Sequence, residues 1–287
     1  MELFDNGAGG YYVYAPDYDI ERTFTCGQCF RFAKSEETPY KCEYSGVAYG
    51  RYMRFAEDEK GNVHIIGAPR DEVESRWLHY LSLDRDYVAI KAQILKDFGA
   101  HKFVSDAIAR TGGLRILAQE RFETLCSFII SQNNNIPRIS KLIEAISEKY
   151  GEAIDTAHGK KYAFPSAKRL AEVSVEELSA LKLGYRAAYI ADAARRVASG
   201  VLDLEKLTVE NAREELLKVL GIGEKVASCI RLFAMEDFAS FPVDVWVKRI
   251  IANRFDGKLD LTKTGIYGGV AQQYLFCYER ELQLTQE

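Results

Sequence analysis

Lys225 and Asp244 are the residues whose types and placement could make and break a covalent bond in this chain. The run LGIGEKVA at residues 220–227 falls between two stretches of helical periodicity, with Lys225 at the start of the second. Gly221 and Gly223 allow positive φ and close backbone approach at a very short turn. The helix that follows begins with unpaired N–H groups facing outward, a ready site for a phosphate. An ammonium is no nucleophile, so an amine used in attack must be neutral, and partial desolvation favours that form. Nineteen residues on comes Asp244, in FPVDV at residues 241–245, a Pro-led start to another helix. A Gly-x-Gly between helices is by itself an ordinary turn, and an isolated surface lysine is ordinarily a solvated charge. The two in register make the segment worth pursuing.

The elements that must position these residues fall into two styles. Residues 11–67 read as short strands, at 11–14, 28–33, 40–44, 48–55 and 63–66, rich in aromatic and β-branched side chains. Their short links favour an antiparallel sheet. From about residue 70 the apolar spacing becomes helical, first over 71–83 and 84–98, then with Phe122, Leu125, Cys126 and Ile129 on one face. Further helices are expected over 136–150, 185–199, 209–220, 224–235, 243–255 and 266–282, and a capping box at Ser174 and Glu177 starts one through Leu181. The predicted fold is α+β, a small N-terminal antiparallel β-sheet domain followed by a large all-α body. The expected division is 1–118 for the sheet and the helices after it, and 119–287 for the helical catalytic region, with its helix-hairpin-helix at about 208–235.

The run from Leu220 to Asp244 resembles the helix-hairpin-helix and Gly/Pro-Asp motif of the DNA glycosylase superfamily. Other stretches resemble the 8-oxoguanine DNA glycosylase branch: SFIISQNNNIPRI at 127–139, LGYRA at 183–187, TCGQCFRF at 25–32 and AQQYLF at 271–276. The likeness runs from about residue 24 to 282. It implies a bifunctional base-excision repair enzyme that removes 8-oxoguanine opposite cytosine. Lys225 would attack C1′ and form a Schiff base that permits β-elimination of the strand, while Asp244 would stabilise the oxocarbenium-like sugar and help move the proton. The damaged base must first leave the stack, at a cost of roughly a few kcal/mol.

By the same resemblance, the Gly27 carbonyl accepts from the N7–H that 8-oxoguanine carries and guanine lacks. Cys229 and Phe276 would cover the two faces of the base, and Gln272 would read its Watson–Crick edge. Arg138 and Arg186, donors only, would read cytosine, while Asn133 and Tyr185 would fill and wedge the gap in the duplex. Gly221 and Gly223 would bring the hairpin to the phosphate backbone. One departure is evident: Trp246 stands where better-studied eukaryotic members carry a histidine phosphate contact. A lysine at 225 argues against the purely hydrolytic alkyl-base branch.

Bulk properties set limits around this reading. Net charge is −4 with a pI near 5.8, which does not announce a nucleic-acid partner. Residues 160–200, however, carry eight basic side chains against four acidic ones, so a DNA surface can be local. The expected partner is double-stranded DNA containing oxidised guanine, bound by a monomer, with no cofactor. Cys26 and Cys29 suggest a zinc or redox pair, but a structural zinc needs four ligands and only Cys42 lies near. Two small side chains at a strand edge is the preferred reading, and no metal is expected. Cys277 stands alone near the C-terminus, unlike the iron–sulfur branches. No apolar run approaches the length of a membrane span, and residues 1–10 do not read as a secretory signal, so an intracellular location is expected, cytoplasmic or nucleoid in a prokaryote.

Overall fold

The computed structural model describes residues 2–7, 9–99 and 101–284. Near the N-terminus it contains a six-stranded antiparallel sheet in the order β1-β2-β6-β5-β4-β3. These strands are β1 Phe4–Asp5, β2 Gly10–Tyr14, β3 Phe32–Lys34, β4 Cys42–Ala48, β5 Arg51–Glu57 and β6 Asn62–Ile66. The register sets Tyr44 beside Phe55 and Phe55 beside Ile65, cross-strand pairs that build one apolar face. Helix α1, Ile20–Thr25, lies against that face, started by the Asp19 carboxylate, which accepts from the Arg22 N–H at 2.8 Å. Next come α2 Arg70–Glu72, a π-helical turn over Val73–Trp77, and α3 Leu78–Tyr80. Trp77, fully buried, meets Phe55 with ring centroids 5.8 Å apart.

Two strand expectations need correction. Residues 48–55 do not form one strand, because Tyr49 and Gly50 take φ of 50° and 68° and turn the chain between β4 and β5. Within 28–33 only the end is strand. The Gln28 side chain donates to the carbonyls of Thr23 and Arg115, both at 2.8 Å, and accepts from the Leu117 N–H at 2.8 Å. Side-chain bonds, not a ladder, hold the chain there. A hairpin absent from the sequence reading, β7 Ala153–Thr156 with β8 Gly159–Tyr162, follows one of the helices. None of its residues is buried, and no run of apolar alternation marks its strands.

The remaining helices are α4 Tyr87–Asp97, α5 Lys102–Thr111, α6 Arg121–Ser131, α7 Ile136–Tyr150, α8 Ala167–Ala171 and α9 Val175–Ser179. They continue as α10 Arg186–Ala198, α11 Ala212–Leu217, α12 Glu224–Ala234, α13 Val245–Arg254 and α14 Gly268–Leu284. A second core lies among them, with Leu125, Ile129, Ile143, Phe233 and Leu275 buried together. Helices α4 and α5 join this core through Ile90, Ile94 and Val104. The segment from Cys26 to Cys29 runs between the two bodies: Cys26 packs in the helical core and Cys29 in the sheet core. The pair therefore bridges two interiors instead of sitting at a strand edge, and Gly27 lies at their border. All six cysteines are free and buried.

Candidate active site

Helix α12 supplies the lysine. The turn before it bends at Gly221, whose φ of +80° disfavours any side chain, and a Cβ built there would lie 2.1 Å from the Tyr189 ring. Gly223 behaves otherwise. It is the N-cap of α12 in extended backbone, φ −103° and ψ −179°, and nothing lies within 4 Å of a Cβ built on it. Only one of the two glycines thus uses positive φ. The fold makes no steric demand for glycine at 223, which leaves room for something to approach the backbone from outside.

Lys225, half-buried, points its amine over Phe128 of α6, with Nζ 5.5 Å from the ring centroid. Asp244 is the N-cap of α13 and accepts from the Val247 N–H at 2.8 Å, which fixes the carboxylate at the positive end of that helix. Cys229, one turn beyond Lys225, senses both groups. Burial pushes its thiol up to about 11, the Lys225 charge pulls it down and the Asp244 charge raises it further. Amine, carboxylate and thiol therefore share one environment.

That environment is a cleft of about 820 Å³. Eight of the residues singled out from the sequence line it: Gly27, Asn133, Gly223, Lys225, Cys229, Asp244, Gln272 and Phe276. Gly27 has φ +83° and is held in place by the Gln28 network and by the Gln119 amide, which donates to the Gln28 carbonyl at 2.8 Å. Gln272 and Phe276, four apart on α14, reach the cleft together, although Gln272 is only 3% exposed and accepts from Gln273 at 2.8 Å.

The other four are not among the residues that line the cleft. Tyr185, exposed, receives a hydrogen bond from the Asn133 amide at 3.4 Å. Arg186 is 5% exposed; it donates to the carbonyls of Gln132 at 3.0 Å and Asn133 at 3.1 Å, and its guanidinium covers the Tyr185 ring. Its donors serve the 132–133 turn, where Asn133 adopts φ of 48°. Arg138 reaches the Lys182 carbonyl at 3.5 Å. Gly221 stays on the hairpin.

Sequence reading missed Phe128 and Arg280 here and noted Trp246 only as a departure at a phosphate contact. Phe128 carries the lysine, Arg280 covers Phe276 from 5.5 Å, and Trp246 meets Phe276 edge-on at 6.4 Å. Arg280 follows Phe276 by four residues, a spacing that could have suggested it. No short-range pattern marks Phe128, whose partner lies almost a hundred positions away.

The chain is similar to known proteins along most of its length. Residues 12–125 match the family described as 8-oxoguanine DNA glycosylase, N-terminal domain, and residues 126–260 match the HhH-GPD superfamily of base excision DNA repair proteins. The N-glycosylase/DNA lyase OGG1 of Arabidopsis thaliana is 30% identical over 92% of this chain and 78% of its own length. The solved structure of MBOgg1 in complex with a low-affinity DNA ligand superposes with a TM-score of 0.90 at 34% identity, covering 98% of this chain and 99% of that one. The Clostridium acetobutylicum 8-oxoguanine glycosylase/lyase, solved with duplex DNA containing cytosine opposite the lesion, gives 0.89 at 33% identity over 99% of both chains. With a helix-hairpin-helix body, an antiparallel sheet and these relatives along its length, the chain belongs to the 8-oxoguanine DNA glycosylase family of helix-hairpin-helix repair proteins.

Proposed function

We propose that this protein excises 8-oxoguanine from duplex DNA, preferably opposite cytosine, and then cleaves the strand through a Schiff base on Lys225. The carrying observation is that Lys225 and Asp244 line one cleft large enough for an extruded nucleotide. In the first step the Lys225 amine bonds to C1′ and sheds a proton. The C1′–N9 pair leaves with the base, which takes up a proton. Asp244, held by the α13 N-terminus, offsets the positive charge that develops on the sugar. Ring opening gives the protonated Schiff base, and loss of a C2′ proton then expels the 3′-phosphate.

Gly27, Cys229, Gln272 and Phe276 are proposed to hold the base; Asn133, Arg138, Tyr185 and Arg186 to hold the opened duplex; and Gly221 and Gly223 to present the hairpin to the backbone. The two arginines would exchange their present carbonyl partners for cytosine. The proposed active unit is a monomer. Among the described residues no helix is long and apolar enough to cross a membrane.

Borohydride trapping on an 8-oxoguanine·cytosine duplex is the decisive experiment. A covalent adduct that disappears in Lys225→Ala is expected. Duplex binding without any adduct would leave a helix-hairpin-helix protein that only grips DNA. Trapping on other lesions with no preference for 8-oxoguanine would make this a glycosylase for a different damaged base.

A further inference from the structure

The proposed grip of the hairpin on DNA has a support that lies outside the cleft. Tyr185, the N-cap of helix α10, and Tyr189, Asp192 and Arg196 within it follow at spacings of four, three and four, one stripe along the helix. Tyr185 and Tyr189 meet edge to face, with centroids 5.5 Å apart. The Tyr189 ring fills the space over Gly221 that a side chain would need. Asp192 Oδ2 accepts from the Leu220 N–H at 3.0 Å and from Arg196 Nε at 2.8 Å. The exposed turn of the hairpin is therefore bonded to a side chain on another helix.

We propose that Asp192 is a positioning residue that fixes the hairpin in the shape that takes a DNA phosphate, at a set distance from the Tyr185 wedge. The inference rests on the reading of the hairpin as a backbone grip. Seven residues of helix separate wedge from clamp, about 10 Å along the axis. That rigid spacer keeps two DNA contacts in register although they lie on different loops. A carboxylate near a phosphate site would ordinarily repel the ligand, and Arg196 offsets that charge. The Asp192 side chain is 29% exposed, so it works through the Leu220 amide and not through packing.

The test combines duplex affinity with the single-turnover rate at saturating DNA. Asp192→Ala is expected to weaken affinity for any duplex about tenfold while the saturating rate changes no more than about twofold. Asp192→Asn, which keeps an acceptor, is expected to restore affinity. Unchanged affinity in Asp192→Ala, an equal loss in both variants, or a loss confined to the saturating rate would each overturn the proposal. Amide hydrogen exchange on the unaltered protein does not depend on whether a variant folds: the Leu220 N–H should exchange slowly, and fast exchange refutes the clamp. Gly223→Asp separates the two readings, because a Cβ at 223 meets nothing within 4 Å in the protein while the carboxylate puts an anion where the phosphate would sit. If that variant binds as tightly as the original, the hairpin reading fails and the clamp with it. If it fails to bind while Asp192→Ala binds normally, only the role of Asp192 is lost.

Discussion

The Cys229 thiol is a gauge of the cleft, raised to about 11 by burial against the opposing pull of Lys225. It should remain protonated across the neutral range. Alkylation by iodoacetamide, followed by mass spectrometry, is expected to leave it unmodified at pH 7. Rapid labelling there would show a more open site. Phe128 admits a finer change. Phe128→Leu keeps an apolar side chain and loses the ring face under the amine, a contact on the order of 0.5–1 kcal/mol. That contact favours the charged amine and not the attacking one, so borohydride trapping should not slow, whereas Tm should fall measurably because the ring is buried and stacked on Phe233. Asp244→Asn should bind DNA normally and lose most base release; unaltered turnover would remove Asp244 from the mechanism. Lys225 and Asp244 were legible in the sequence because glycines, a proline and a fixed spacing announce them locally. Phe128 was not, since its role exists only once α6 has packed against α12.

Element by element, the hairpin invites a contrast between its two glycines. Gly221→Ala combines an unfavourable φ with a clash against Tyr189, and should cost about 2–4 kcal/mol in urea unfolding. Gly223→Ala has ordinary backbone angles and open space, and should be close to neutral for folding. Equal losses would mean that the turn is not held as described. Most helices were read well because their apolar periodicity is sustained, although α5, Lys102–Thr111, and the short α8, Ala167–Ala171, were not among those expected. The strands on either side of Tyr49 were merged because a left-handed turn built on a tyrosine carries little sequence signal. The helix over Ile20–Thr25 was missed for a related reason: the β-prone residues around it are outweighed by the Asp19 cap and by packing against the sheet.

For the molecule as a whole, the boundary between sheet and helical body carries a buried charge cluster. The Arg31 side chain, 2% exposed, lies 3.6 Å from Glu123 and 2.8 Å from Glu144. Burial pushes the Glu123 carboxyl up to about 7, with Arg31 opposing the shift. The native state therefore keeps that proton longer than the unfolded chain, whose carboxyl titrates near 4.5. This contribution to stability is full below pH 4.5 and is lost as pH rises through about 7, on the order of 3 kcal/mol. Glu123→Gln should flatten the corresponding slope in chemical unfolding measured between pH 5 and 8; an unchanged slope would assign it to other groups. The overall plan, a sheet body and then a helical body, was legible from the change in hydrophobic period. The division of Cys26 and Cys29 between two interiors was not, because neighbours in sequence carry no label for the core each will enter. The placement of the two tryptophans has a practical consequence. Trp77 is sealed in the sheet core while Trp246 stands beside Phe276 at the cleft, so the emission of a single indole can report each arrival and departure of a nucleobase without any attached dye.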